Sequence, residues 1–121
     1  MYIFFRSACD DSELTEIVWI SVNKLAELWD EPDVKIYENP KDSWFHPASN
    51  RECIFIPEIQ IESGDQFNVF FVNGRHRTKW LIQQGYKEIL VGILKSEIEL
   101  GTRIGLIQRI FEEGDCLELP E

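Results

Sequence analysis

Hydrophobic positions in this chain fall into short runs that are separated by polar or glycine-containing turns. Runs rich in β-branched and aromatic residues predict strands. Such runs cover residues 2–5, 15–21, 53–61, 67–72 and 88–94. The runs at 67–72 and 88–94 are almost continuously apolar, so the pattern predicts strands that are covered on both faces. Pro57 interrupts the run at 53–61, which indicates either an edge strand or a break between two short strands.

A helical spacing of apolar residues follows the strand predicted at 15–21. Either Ser21 or Asn23 is the predicted N-cap, and Pro32 is expected to end the helix. The face predicted to be buried carries Leu25, Leu28 and Trp29. Residues 33–52 have no such pattern and are predicted to form a long loop.

A second helix is predicted between the runs at 67–72 and 88–94. It has its body at 78–84, its N-terminus near Arg75, and a terminating glycine at Gly85. We therefore expect a strand–helix–strand unit with parallel strands and a right-handed crossover. We predict that Trp80 lies in the core.

The C-terminal part is predicted to be mostly helical. Ser96 is a candidate cap for a short helix that runs to Leu100. Four apolar residues then recur at helical spacing, namely Ile104, Ile107, Ile110 and Phe111. Residues 116–119 are compatible with a further short strand. The length of 121 residues and the lack of a linker indicate one domain, spanning 1–121.

The chain is strongly acidic, with a net charge of -10 and a pI near 4.6. Such a charge disfavours non-specific binding to nucleic acid and to anionic membranes. It favours a basic protein partner, or serves solubility alone. No apolar run approaches the length of a transmembrane helix, so no membrane association is expected.

The cysteines and histidines indicate neither a disulfide framework nor a metal site. Cys9, Cys53 and Cys116 are odd in number and far apart, which favours a reducing compartment. His46 and His76 lack the spacing of a zinc motif. We expect no protein-bound metal.

The residues best suited to bind a ligand lie where the strand predicted at 67–72 leads into the second helix. Backbone N–H groups at a helix N-terminus, together with the helix dipole, favour an anion such as phosphate. The candidate cofactor-binding residues at this corner are Asn73, Gly74, Arg75, His76, Arg77 and Thr78. Gly74 is expected to supply a backbone shape that a side chain would obstruct.

Several roles stay open for the basic residues of this corner. Arg75 and Arg77 are candidate phosphate ligands, but they point in different directions, so one can instead pair with a carboxylate. His76 is suited to contact a phosphate, to act as a general acid or base, or to pack. His76 and Arg77 are the candidate catalytic residues. His46 or Arg51, from the predicted loop, can complete the site if that loop folds over the corner.

The sequence Asn73-Gly74-Arg75-His76-Arg77, followed by a helix, a glycine and an apolar strand, resembles the ParB/sulfiredoxin-like superfamily. Gly74, His76 and Arg77 match its Gly-x-His-Arg turn, which binds nucleotide phosphate in that superfamily. The resemblance implies a small α+β domain, with a mixed sheet and short flanking helices. Arg75 occupies the position of the sulfiredoxin cysteine, so sulfinic-acid reduction is not expected. Asn73 replaces the usual acidic residue.

Within that superfamily, Gly-Arg-His-Arg followed by Thr78 and by Trp80-Leu81 resembles the small plasmid fertility inhibition proteins. The resemblance implies a bacterial, cytoplasmic protein that interferes with conjugative or type IV secretion transfer. It also implies ATP or CTP as a ligand, with Mg²⁺-assisted NTPase or nuclease activity possible. Two alternatives stay open. One is a non-catalytic immunity or anti-defence protein that neutralises a basic partner, and the other is a nuclease or NTPase that acts alone.

Overall fold

A computed structural model describes residues 3–5, 14–29, 38–45 and 53–112. Its strands are β1 (Ile3–Phe5), β2 (Thr15–Ser21), β3 (Cys53–Phe55), β4 (Glu58–Glu62), β5 (Asn68–Asn73), β6 (Glu88–Leu94) and β7 (Ile107–Ile110). Its α-helices are α1 (Val22–Leu28), α2 (Arg75–Gln83) and α3 (Ile98–Arg103), and single 3₁₀ turns cover Asp42–Trp44 and Lys95–Glu97. The elements form an α+β fold, which confirms the predicted class.

Five of the strands form one mixed sheet in the order β5-β4-β6-β2-β7. Strands β4 and β6 are parallel, whereas the other neighbours in this sheet are antiparallel. Strands β1 and β3 form a separate, parallel pair. The mixed sheet with short helices is the arrangement that the sequence predicted.

The predicted parallel pairing of the strands on either side of α2 is wrong. Strand β4 lies between β5 and β6; it is antiparallel to β5 and parallel to β6. Strands β5 and β6 therefore run in opposite directions. The turn at residues 64–66 joins β4 and β5 as a local hairpin, and neighbours in sequence commonly pair in this way.

The prediction that both apolar strands are covered on both faces holds for one of them. Residues 89–93 of β6 are buried, as expected for a central strand. Strand β5 is instead the outer strand of the sheet, and Phe70 and Val72 are 38% and 52% exposed. Burial alternates along β5, with Val69 buried and Phe70 and Val72 exposed, so one face of this strand is covered and the other is exposed.

Helices α1 and α3 pack on the sheet face that carries Phe71 and Ile61. The rings of Trp29 and Phe71 lie 4.5 Å apart between centroids. A Cβ built on Gly101 would lie 3.3 Å from Ile61 Cδ1, so α3 approaches the sheet closely. Trp80 of α2 is buried, as predicted, and packs against two further aromatic rings, those of Trp44 and Phe45.

The local signals around α1 and α2 were predicted well. Ser21 is the N-cap of α1, and its Oγ accepts a hydrogen bond of 3.2 Å from Lys24 N. Helix α1 ends at Leu28, and Trp29 is its C-cap. Pro32, which was predicted to end this helix, lies outside the described residues. Gly85 follows α2 with a φ of 94°, in the left-handed region that favours glycine. The chain leaves its strand at Ile56 and Pro57, between β3 and β4, so the predicted break is confirmed.

The helix predicted across residues 104–111 is wrong. Residues 107–110 are β7, which pairs with β2 through a register that shifts between Trp19 and Ile20. The unoccupied edge of β2 offers backbone partners that outweigh a weak helical spacing. Ser96 does not cap α3 either, since it lies within the preceding 3₁₀ turn and Glu97 is the N-cap.

The predicted strand at 116–119 lies outside the described residues, as does most of the predicted loop at 33–52. Of that loop, residues 38–45 are described and contain one 3₁₀ turn. Among the described residues, no helix has both the length and the apolar character needed to cross a membrane.

Candidate functional site

The corner begins at Gly74, which is the N-cap of α2 and has φ 84° and ψ 15°. A Cβ at this position would lie 2.6 Å from both Arg77 Cζ and Pro57 Cβ. Both the left-handed backbone and the crowding therefore favour glycine. This confirms the prediction that Gly74 supplies a shape which a side chain would obstruct.

The first turn of α2 concentrates positive charge. Its first backbone hydrogen bond runs from Thr78 N to Gly74 O at 2.9 Å, so the N–H groups of residues 75–77 precede the intrahelical ladder. The turn carries Arg75 and Arg77 and contains no acidic residue that would offset their charge. Cations at a helix N-terminus oppose the dipole, and a bound anion removes this penalty.

Arg77 ties this turn to the break between β3 and β4. Its Nε donates to Phe55 O at 2.7 Å, and its Nη2 donates to Ile56 O at 2.9 Å. Nη2 also donates to Asn73 Oδ1 at 3.0 Å. The guanidinium thus holds two carbonyl groups and one amide in fixed positions beside the helix start.

Asn73 lies at the centre of a small polar network. Its Nδ2 donates to Glu58 Oε1 at 2.9 Å while its Oδ1 accepts from Arg77. Glu58 and Asn73 are register partners across β4 and β5. Sequence reasoning missed Glu58 because only the strand register brings this carboxylate to the corner. Glu58 therefore places a carboxylate beside Asn73, the position at which ParB/sulfiredoxin-like proteins usually have an acidic residue.

Thr78 is a structural residue of the helix start. It is fully buried, and its Oγ1 donates to Gly74 O at 2.8 Å. Its hydroxyl therefore stabilises the backbone that shapes the corner. It does not line the cavity at that corner.

A cavity of about 420 Å³ opens at the start of α2. Its lining residues are Trp44, Phe71, Val72, Asn73, Gly74, Arg75, His76 and Arg77. Arg75 is exposed, and the Nδ1 atom of His76 is buried. Five of the six predicted binding residues therefore come together around one cavity.

Neither aromatic wall of this cavity was predicted from the sequence. Trp44, which is 8% exposed, comes from the 3₁₀ turn, and Phe71 comes from β5. The sequence signal that could have indicated the 3₁₀ turn is the pair of adjacent aromatic residues Trp44 and Phe45 within the predicted loop. Flat apolar walls beside phosphate-type donors suit a ligand with a planar ring and an anionic group.

The candidate loop residues His46 and Arg51 lie outside the described residues. Within the described ranges, no three His, Cys, Asp or Glu side chains form a group suited to hold a metal ion. The carboxylate of Glu58, which lies at this corner, already accepts a hydrogen bond from Asn73.

Comparisons with protein-family models, with curated proteins and with solved structures found no match to this chain. The resemblance to the ParB/sulfiredoxin-like superfamily therefore stays a prediction that rests on the Gly-Arg-His-Arg turn and the elements around it.

Proposed function

We propose that this protein binds a nucleotide, ATP or CTP, with its phosphates at the N-terminus of α2. The observation that carries the proposal is the cavity of about 420 Å³ in which a basic helix start faces aromatic walls. Phosphate oxygens accept from first-turn N–H groups and gain from the helix dipole. The base would lie against the apolar side of the cavity, which Trp44 and Phe71 line.

The two arginines have different roles in this proposal. Arg75 is exposed at the cavity and is the phosphate ligand. Arg77 is a positioning residue, since its Nε and Nη2 hold the carbonyl oxygens of Phe55 and Ile56. His76 lies between them and contacts the phosphate. Any hydrolysis would involve Mg²⁺ held mainly by the phosphates, as is usual for this ion.

In this proposal, nucleotide binding supports an activity like that of the plasmid fertility inhibition proteins. The protein would act in the bacterial cytoplasm and lower conjugative or type IV secretion transfer by binding a component of that machinery. The Gly-Arg-His-Arg turn and the following Thr78, Trp80 and Leu81 support this function. The net charge of -10 favours a basic surface on the partner.

The test of the site is calorimetric titration of the full chain with ATP and with CTP, each in Mg²⁺. Arg75→Ala is expected to weaken binding by about tenfold or more, because a charge-assisted hydrogen bond is lost. Arg103→Ala removes an exposed arginine from the end of α3, outside the cavity, and is expected to bind like the parent. Absence of binding by the parent to both nucleotides would refute the proposal.

The transfer activity has a separate test. Expression of the chain in a plasmid donor strain is expected to reduce the transfer frequency of a conjugative plasmid, and Arg75→Ala is expected to relieve that reduction. An unchanged transfer frequency with the parent chain, at confirmed expression, would contradict the conjugation role while leaving the nucleotide site standing.

A second candidate function is a non-catalytic immunity or anti-defence protein that neutralises a basic partner. The observation in its favour is a pair of exposed acidic residues: Glu62, the last residue of β4, and Asp65, in the turn that follows it. Reversal of both charges to lysine would abolish that function, whereas Arg75→Ala would spare it. The opposite pattern favours the nucleotide-dependent function.

A further inference from the structure

Among the described residues, β5 is an outer strand of the five-stranded sheet, and β4 is its one neighbour there. Residues 66–74 form nine consecutive uncharged positions in a chain of which 28% is charged. Natural proteins usually protect such an edge with charges or proline, because its backbone groups can pair with another strand. Here the edge carries exposed apolar side chains instead, with Phe67 at 40%, Phe70 at 38% and Val72 at 52%.

The sequence around β5 is compatible with pairing to itself. In a dimer whose two-fold axis is perpendicular to the sheet, each face of one sheet continues into the same face of the other. Residues directly opposite each other in an antiparallel pair point to the same face, so one residue must lie opposite its own copy at the axis. Centring on Phe70 places it opposite Phe70 of the second copy. Val72 then lies opposite Asn68 of that copy. The exposed Phe70 side chains would cover each other on one face.

Charges at the two ends of this segment are complementary in the same register. Asp65 precedes Phe70 by five residues, and Arg75 follows it by five. Both side chains are exposed. Centring on Phe70 therefore brings the end with Asp65 towards the end with Arg75 of the second copy, twice per dimer.

We propose that β5 pairs antiparallel with β5 of a second copy of this chain, so that two five-stranded sheets become one continuous sheet. Two chains of charge -10 repel each other over most of their surfaces. The edge of β5 is uncharged and has opposite charges at its two ends, so this repulsion is small there. The pairing needs no nucleotide, although Val72 and Arg75 line the proposed nucleotide cavity as well as flanking this edge. Phe70 does not line the cavity, so Phe70→Lys tests the pairing separately from the nucleotide site.

The test is sedimentation velocity of the full chain, without nucleotide, over a range of micromolar concentrations. The parent is expected to form a dimer. Phe70→Lys is expected to weaken it by at least about tenfold, because two like charges then lie directly opposite each other. Val72→Lys is expected to weaken it too, because a charged side chain replaces an apolar one at the pairing edge. Circular dichroism checks that each variant is folded.

Ile110→Lys is the matched control. Ile110 is 40% exposed on β7, the outer strand at the opposite edge of the sheet, so its replacement should leave the dimer intact. A parent that stays monomeric throughout would overturn the proposal. A dimer that survives Phe70→Lys but dissociates with Ile110→Lys would also overturn it, and a strand from another protein would then be the candidate occupant of β5.

A charge swap tests the register. Asp65→Arg and Arg75→Asp are each expected to weaken the dimer by about three- to tenfold, and the double variant is expected to restore it. A double variant weaker than both single ones would refute the register centred on Phe70.

Discussion

At the residue scale, two separate features of the corner require glycine at position 74. Its φ of 84° is unfavourable for any residue with a Cβ, and the space where a Cβ would lie is occupied by Arg77 and Pro57. The sequence indicated the first requirement through a glycine before a helix. The second arises from Arg77, which was predicted as a ligand and also holds backbone carbonyls.

We therefore expect Gly74→Ala to lower the free energy of unfolding by about 2–4 kcal/mol, from the left-handed conformation and the steric overlap together. Urea denaturation measures this change. Gly105→Ala is the control, since Gly105 has a similar φ of 85° but its nearest neighbour to a built Cβ is Lys24 Cε at 4.0 Å. That variant should cost about 1–2 kcal/mol. Equal losses in the two variants would show that the crowding at Gly74 has no effect.

At the element scale, two serines were predicted to be helix N-caps, but only one of them has that role. Ser21 accepts a hydrogen bond from Lys24 N at the start of α1. Ser96, which precedes α3 by two residues, is exposed within a 3₁₀ turn and makes no cap hydrogen bond. The difference lies in the route of the backbone: β2 runs directly into α1, whereas a 3₁₀ turn intervenes before α3.

Ser21→Ala is accordingly expected to lower stability by about 1 kcal/mol, because an N-cap acceptor is lost. Ser96→Ala should change it by less than about 0.5 kcal/mol, as is usual for an exposed substitution. Urea denaturation of both variants under the same conditions distinguishes them. A larger loss for Ser96→Ala than for Ser21→Ala would contradict the assignment of the caps.

At the scale of the whole molecule, the acidic charge opposes the compact state. The chain has 22 acidic and 12 basic side chains. Favourable pairs exist, such as Arg109 with Glu88 at 3.0 Å, but both partners are substantially exposed and such pairs contribute little. Net repulsion between like charges should therefore outweigh these attractions at low salt.

We expect the melting temperature at pH 7 to rise when the salt concentration increases from about 0.01 M to about 0.15 M, since the Debye length falls from about 30 Å to about 8 Å. Thermal unfolding followed by circular dichroism measures this. Close to the pI of about 4.6 the rise should largely disappear, because net repulsion is small there. A melting temperature that falls with salt at pH 7 would mean that attractive pairs dominate.

The sequence by itself determined the class of the fold and the place of the candidate site. The β-branched runs became β2 and β6, the cap at Ser21 and the glycine at Gly85 bounded helices, and residues 73–77 gathered around one cavity. These features depend on local propensity and on backbone shape, which neighbouring residues decide.

Only the tertiary structure decided how these elements pair and which side chains meet. Strand β4 inserts between β5 and β6, and β7 forms where a helical spacing had predicted a helix. The register of β4 with β5 brings Glu58 to Asn73, and the 3₁₀ turn brings Trp44 to the cavity. Strand order and register depend on contacts between distant parts of the chain, for which a single sequence contains no local signal.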